Sequence, residues 1–153
     1  MAVPGAGYVG YYQLKEIIDK GVLQAQKILF EFRDGLVYAD GKVLQGLKVY
    51  DENVQITGVH YTSWEMATQI RSMERIEPSL DDPFVYISEP GKMEGWPEEL
   101  IKKELGASIA NTKVSLQVIV PVERVWIKTS RDVVHYAISG ILSEIVKLRI
   151  KRI

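Results

Sequence analysis

Between residues 114 and 150 the chain carries four short runs rich in β-branched residues, at 114–120, 122–128, 133–139 and 145–150. Val, Ile and Thr lose side-chain freedom in a helix and pack well on a pleated surface, so these runs predict strands. They follow one another directly, and the helical patterns lie elsewhere in the chain. Helices and strands are therefore grouped rather than alternating, which favours an α+β fold over a doubly wound parallel sheet.

The remainder of the chain fits that class. Leu14, Ile17, Ile18 and Val22 share one helical face in a segment starting near Tyr11, Gly21 breaks or kinks it, and residues 28–32 read as extended. Asp40-Gly41 between two apolar runs predicts a β-hairpin, and one or two further strands fit between Val49 and Val59, on either side of Asp51-Glu52-Asn53. Ser63 is placed to cap a helix that runs to about Met73, with Glu65 in its first turn. A strand is expected over 83–87, and a helix over 98–105 that begins after Pro97 and stops at Gly106. The expectation is seven to nine strands and three helices.

Composition narrows the function classes. The 153 residues suit one domain with a real core, and a net charge of -1 gives no general attraction for nucleic acid or anionic membranes. Four cations, Lys147, Arg149, Lys151 and Arg152, nevertheless crowd the C-terminus. The chain has no cysteine and only two histidines, His60 and His135, so thiolate chemistry and a histidine-rich metal centre are not expected. Residues 1–10 lack the basic-then-apolar pattern of a signal peptide, and no apolar run reaches the length of a membrane span.

One motif invites a dinucleotide reading. Gly5-Ala6-Gly7-Tyr8-Val9-Gly10 has the glycine spacing, and Glu31 or Asp34 could serve as the acidic partner. That chemistry needs a preceding strand to deliver the loop to a parallel sheet edge, and only Met1-Ala2-Val3-Pro4 comes before it. A loop or loose lead-in over residues 1–10 is the expectation instead.

A different constellation is more specific. A strand ends in His60-Tyr61-Thr62-Ser63, a helix containing Ala67 and Ile70 follows, then Ile76-Glu77-Pro78-Ser79 and the strand Phe84-Val85-Tyr86-Ile87-Ser88. This order resembles the ADP-ribosyltransferase superfamily in its histidine-tyrosine branch, of the kind found at the ends of bacterial polymorphic toxins. The likeness covers residues 58–90 well and 114–150 loosely. It implies a small split β-sheet core over residues 58–153; residues 1–57 contribute nothing to the likeness and are read from their own pattern as a helical and β-hairpin extension packed on that core.

The resemblance also implies an activity. NAD would be the substrate, cleaved between nicotinamide and ribose, with ADP-ribose transferred to a macromolecular target and no metal required. His60 would hydrogen-bond a ribose hydroxyl, the Tyr61 backbone would hold the carboxamide, Thr62 and Ser63 would shape the floor, and Tyr86 would lie against the nicotinamide ring. The family glutamate that stabilises the cationic ribose falls at His135 in this chain; Glu123 is the alternative carboxylate and Glu144 a third. A toxin or effector acting in the cytoplasm of a target cell is implied, delivered by a larger carrier and opposed by an immunity protein. Near-neutral charge favours a protein acceptor over nucleic acid. Two other functions remain open. An RNA 2'-phosphotransferase would need phosphate-gripping arginines, for which Arg71, Arg75, Arg124 and Arg131 lack a recognised spacing; an inactive interaction module of the same fold would need none.

Overall fold

The computed structural model describes residues 9–106 and 111–153, which form twelve strands and three helices. The fold is α+β, with two antiparallel sheets. The chain enters through β1 (Val9–Gln13) and turns at once into α1 (Leu14–Lys20), which buries Leu14 and Ile17. Gly21, at φ 75°, ends that helix and returns its N–H to the Ile17 carbonyl at 2.9 Å. A four-stranded meander follows: β2 (Val22–Ala25), β3 (Ile28–Arg33), β4 (Leu36–Ala39) and β5 (Lys42–Val43). The β4–β5 hairpin turns on Asp40 and Gly41, at φ 49° and 80°, the left-handed pair that an Asp-Gly turn supplies.

The larger sheet then assembles from β6 (Leu47–Tyr50), β7 (Asn53–Thr62), β8 (Phe84–Ser88), β9 (Thr112–Pro121), β10 (Val125–Ser130), β11 (Val133–Ser139) and β12 (Ile145–Arg152), with β1 on one edge. Its spatial order is β1-β10-β11-β8-β7-β9-β12, and β6 also pairs with β7. Helix α2 (Trp64–Met73) follows β7, and α3 (Glu98–Leu105) lies between β8 and β9.

Alternation decides which face is buried. Along β9, Val114, Leu116, Val118 and Val120 are buried while Ser115 and Ile119 are exposed. The buried rows of β7, β8, β9 and β11 merge with Phe30 and Val37 of the small sheet, Leu14 and Ile17 of α1, and Ala67 and Ile70 of α2 into one core. The opposite face is covered only in part, by Ile101 of α3 with Met93 over Val59, Tyr61 and Val133.

Several expectations need correction. Val9 and Gly10 belong to an edge strand rather than a loop, whereas Gly5 to Tyr8 of the glycine motif lie outside the described residues. The first helix is shorter than the apolar spacing suggests: Val22 is 54 % exposed and extended, because Gly21 has already turned the chain. Residues 122–124 form a single 3-10 turn rather than the start of a strand. Strand β7 runs continuously through residues 57 and 58.

The feature that makes the site is a parting of neighbouring strands. One edge of β7 pairs with β6 from Asn53 to Ile56 and then meets β8 only at Val59↔Ser88. Beyond Val59, His60, Tyr61 and Thr62 keep their ladder to β9 on the other edge but have no ladder partner towards β8. The sheet is split there.

Candidate functional site

The split opens a cavity of about 570 Å³, within the range that holds a small-molecule ligand. His60, Tyr61, Thr62, Ser63 and Tyr86 all line it. One wall is α2, through Met66, Ile70 and Met73, and another is the segment from Arg75 to Asp82. Helix α2 starts where it does because Ser63 is extended and its Oγ accepts the Met66 N–H at 3.2 Å, while Trp64 N–H donates to Asn111 Oδ1 at 3.2 Å.

His60 spans the parted strands. Its Nδ1 lies 2.8 Å from the Tyr86 carbonyl oxygen, which can only accept, so Nδ1 carries the proton and donates. That fixes the tautomer and leaves Nε2 as an acceptor, with no protein partner among the described residues and not sealed from solvent. Burial lowers the His60 pKa from its ordinary value, against the upward pull of the Tyr86 carbonyl, so the ring is neutral near pH 7.

Tyr86 is held from several sides. Its hydroxyl donates to Asp82 Oδ2 at 2.7 Å and lies 2.9 Å from the Tyr11 hydroxyl. Burial first, then the Tyr11 and Asp82 hydrogen bonds, raise its pKa far above the ordinary phenol value. Phe84 packs between Tyr11, Tyr86 and Trp126, and the Lys128 ammonium sits 4.9 Å from the Tyr86 ring centroid. Tyr61 turns its side chain towards the α3 cluster, where burial and the Glu94 charge push its phenol up to about 12.

The two residues proposed from sequence for catalysis do not line this cavity. His135 is 1 % exposed and held at both ring nitrogens, by Ser88 Oγ at 3.1 Å and Glu104 Oε2 at 3.2 Å. Ser, His and Glu in sequence along a hydrogen-bond chain suggest nucleophilic catalysis, but Ser88 is itself only 3 % exposed. The chain is a strut that ties α3 to β8 and β11. Glu123 is exposed on the 3-10 turn, and Glu144 is tied to Arg124. The carboxylates lining the cavity are Asp82 and Glu77, and Glu77 is exposed beside Arg75. Asp82 is half-buried, with Oδ1 accepting the Phe84 N–H at 3.0 Å and Oδ2 accepting from Tyr86. Sequence reading treats Asp81-Asp82-Pro83 as a strand boundary. The only signal for more is the four-residue spacing to Tyr86, which is weak.

The strut has a pH signature. Burial alone would raise the Glu104 carboxyl, but hydrogen bonds from His135 and Ser130 and the Arg131 charge outweigh it and hold the pKa below the usual value. A carboxyl depressed by folding adds stability above its unfolded pKa and loses it as pH falls through the folded one. Glu89 acts with opposite sign, since burial pushes its carboxyl up. Glu104→Gln leaves Glu89 in place, so its stability should fall less steeply than the wild type's below about pH 4.3. Thermal melts across that acid range measure the difference between the two slopes.

No protein-family description, curated protein or solved structure matches the chain.

Proposed function

We propose that the chain is an NAD-dependent ADP-ribosyltransferase that binds the nicotinamide end of NAD in the split between β7 and β8. The observation that carries this reading is the convergence of His60, Tyr61, Thr62, Ser63 and Tyr86 on one cavity, since the sequence separates Ser63 from Tyr86 by a helix and a turn. The donor set suits the ligand. Neutral His60 offers Nε2 to a ribose hydroxyl, the free edge of β7 at Tyr61 offers a backbone N–H and carbonyl to the carboxamide, and Tyr86 offers an aromatic wall.

In the reaction the bond between nicotinamide N1 and ribose C1' breaks and its electron pair leaves with nicotinamide. The acceptor nucleophile bonds to C1' and surrenders its proton to solvent water. The positive charge that builds on the ribose needs a carboxylate, and Asp82 takes that role in place of His135 or Glu123. Its tether to Tyr86 and to the Phe84 N–H keeps it fixed, so little reorganisation is needed as charge develops. A toxin or effector acting on a macromolecule in a target cell's cytoplasm is the biological setting that accompanies this activity.

Incubation with labelled NAD and a bacterial lysate tests the reading. Transfer of label to a macromolecule, or release of nicotinamide, is expected; neither product at any enzyme concentration removes the proposal. His60→Ala deletes the ribose contact and should raise the NAD KM about tenfold, the worth of a hydrogen bond of about 1.4 kcal/mol. His60→Gln, which keeps a polar side chain, should recover part of that loss.

A further inference from the structure

The overall charge of -1 conceals a segregated surface. Residues paired across strands share a sheet face, and alternation carries that face along each strand. Lys48 pairs with Gln55, Gln55 with Ile119, Thr57 with Gln117, Gln117 with Lys147, Ser115 with Arg149 and Lys113 with Lys151. These side chains therefore share one face of β6, β7, β9 and β12, on the side away from the main core. Helix α3 covers the neighbouring part of that face at Val59 and Tyr61 but stops there. Lys48, Thr57, Ser115, Lys147, Arg149 and Lys151 are all exposed.

The four strands contain no Asp or Glu. Lys113 reaches Glu94 at the rim, whereas Lys48, Lys147, Arg149 and Lys151 make no ion pair among the described residues. Lysines on an edge strand commonly guard against strand-on-strand aggregation. That need would be met on the edge strands β12 and β6, the latter paired with β7 alone. It does not account for Lys113 on the interior strand β9, directly opposite Lys151 in a like-charge pair that costs stability.

We propose that this open face of β6, β7, β9 and β12 binds single-stranded nucleic acid. Alternate residues on β12 place Lys147, Arg149 and Lys151 in a row about 6.7 Å apart, suited to successive backbone phosphates. Between that row and Lys48 lie Gln55, Thr57, Ser115 and Gln117, whose amides and hydroxyls can hydrogen-bond base edges and sugars. Tyr50 pairs with Asn53 on the same face and is 54 % exposed, giving a ring on which a base can stack. A positively charged track with hydrogen-bonding groups and an aromatic ring is the chemistry of single-strand binding. An acidic protein surface would not require the amide rows, and a lipid surface would be met by more apolar side chains.

Fluorescence anisotropy with labelled single-stranded RNA and DNA of about 20 nucleotides tests the proposal without NAD, so it stands or falls separately from the enzymatic reading. Binding is expected, with log affinity falling against log salt at a slope of about -2 to -3, as for three or four phosphate contacts. The combined Lys147→Gln, Arg149→Gln and Lys151→Gln variant should bind at least about tenfold more weakly and with a shallower slope. Lys15→Gln with Lys20→Gln on α1 should change neither quantity. If the triple variant does not fold, Lys48→Gln with Arg149→Gln provides the same comparison. The proposal is overturned by absence of wild-type binding at about 50 mM salt or by unchanged binding in the folded face variants. It is equally overturned if the face instead holds phosphatidylserine vesicles that excess oligonucleotide does not displace.

Discussion

Asp82→Asn is expected to lower kcat for NAD cleavage by about 100- to 1,000-fold while the NAD KM changes little. The ground state of NAD carries no full positive charge on its ribose, so a carboxylate there contributes little to binding. As the glycosidic bond breaks, positive charge spreads over C1' and the ring oxygen, and a fixed negative charge beside them stabilises it. The substitution is nearly isosteric. The Asn amide oxygen can still accept from Phe84 N–H, and its NH₂ can donate to the Tyr86 hydroxyl, so the wall of the cavity should survive. An unchanged melting temperature beside the kcat loss would separate a catalytic effect from a structural one. Glu123→Gln and Glu77→Gln are the comparisons, since Glu123 lies outside the cavity and Glu77 is exposed beside Arg75. Should Glu123→Gln produce the large loss and Asp82→Asn none, the carboxylate assignment made from geometry is wrong and the sequence-based alternative stands.

The difference between those two assignments shows what the sequence makes legible. Local chemistry reads through clearly. Asp40-Gly41 turns a hairpin because both positions require positive φ, and Ser63 begins α2 because its hydroxyl satisfies a free N–H. The alternating Val and Leu of β9 announce a one-sided strand, which the burial pattern repeats. Long-range pairing leaves no such trace. Nothing in Val9-Gly-Tyr-Tyr-Gln specifies that β1 will close the sheet edge against β10, more than 100 residues later, and bring Tyr11 onto Tyr86. His135 fills the place where the resemblance puts a glutamate, and its spacing suits that role. Its neighbours do not, because Ser88 and Glu104 close on it from β8 and α3. The basic face is hidden for a similar reason: Lys48, Lys113 and Arg149 are far apart in the chain and become neighbours only through the order β6-β7-β9-β12.

The second large effect concerns the hinge of the split itself. Gly58 stands one residue before the single β7–β8 pair, and a Cβ there would lie 2.4 Å from the Ser88 carbonyl oxygen and 2.5 Å from Ile87 Cγ2. A side chain such as Ile87 can shift to another rotamer, but the Ser88 carbonyl is fixed within a strand paired to β11. Gly58→Ala must therefore push β7 and β8 apart in a packed core, at a cost of about 2–4 kcal/mol. For a chain of this size the melting temperature should fall by about 5–15 °C, read by calorimetry or circular dichroism. The damage should extend to the site even where the variant remains folded. His60 lies two residues further along β7 and depends on the present strand separation for its 2.8 Å bond to the Tyr86 carbonyl. Widening the junction would loosen that bond and free the ring to change tautomer, so NAD affinity should fall together with stability. A Gly58→Ala protein with a wild-type melting temperature would mean that β7 and β8 are not in such close contact, and would remove the physical basis for the split as a rigid ligand cleft.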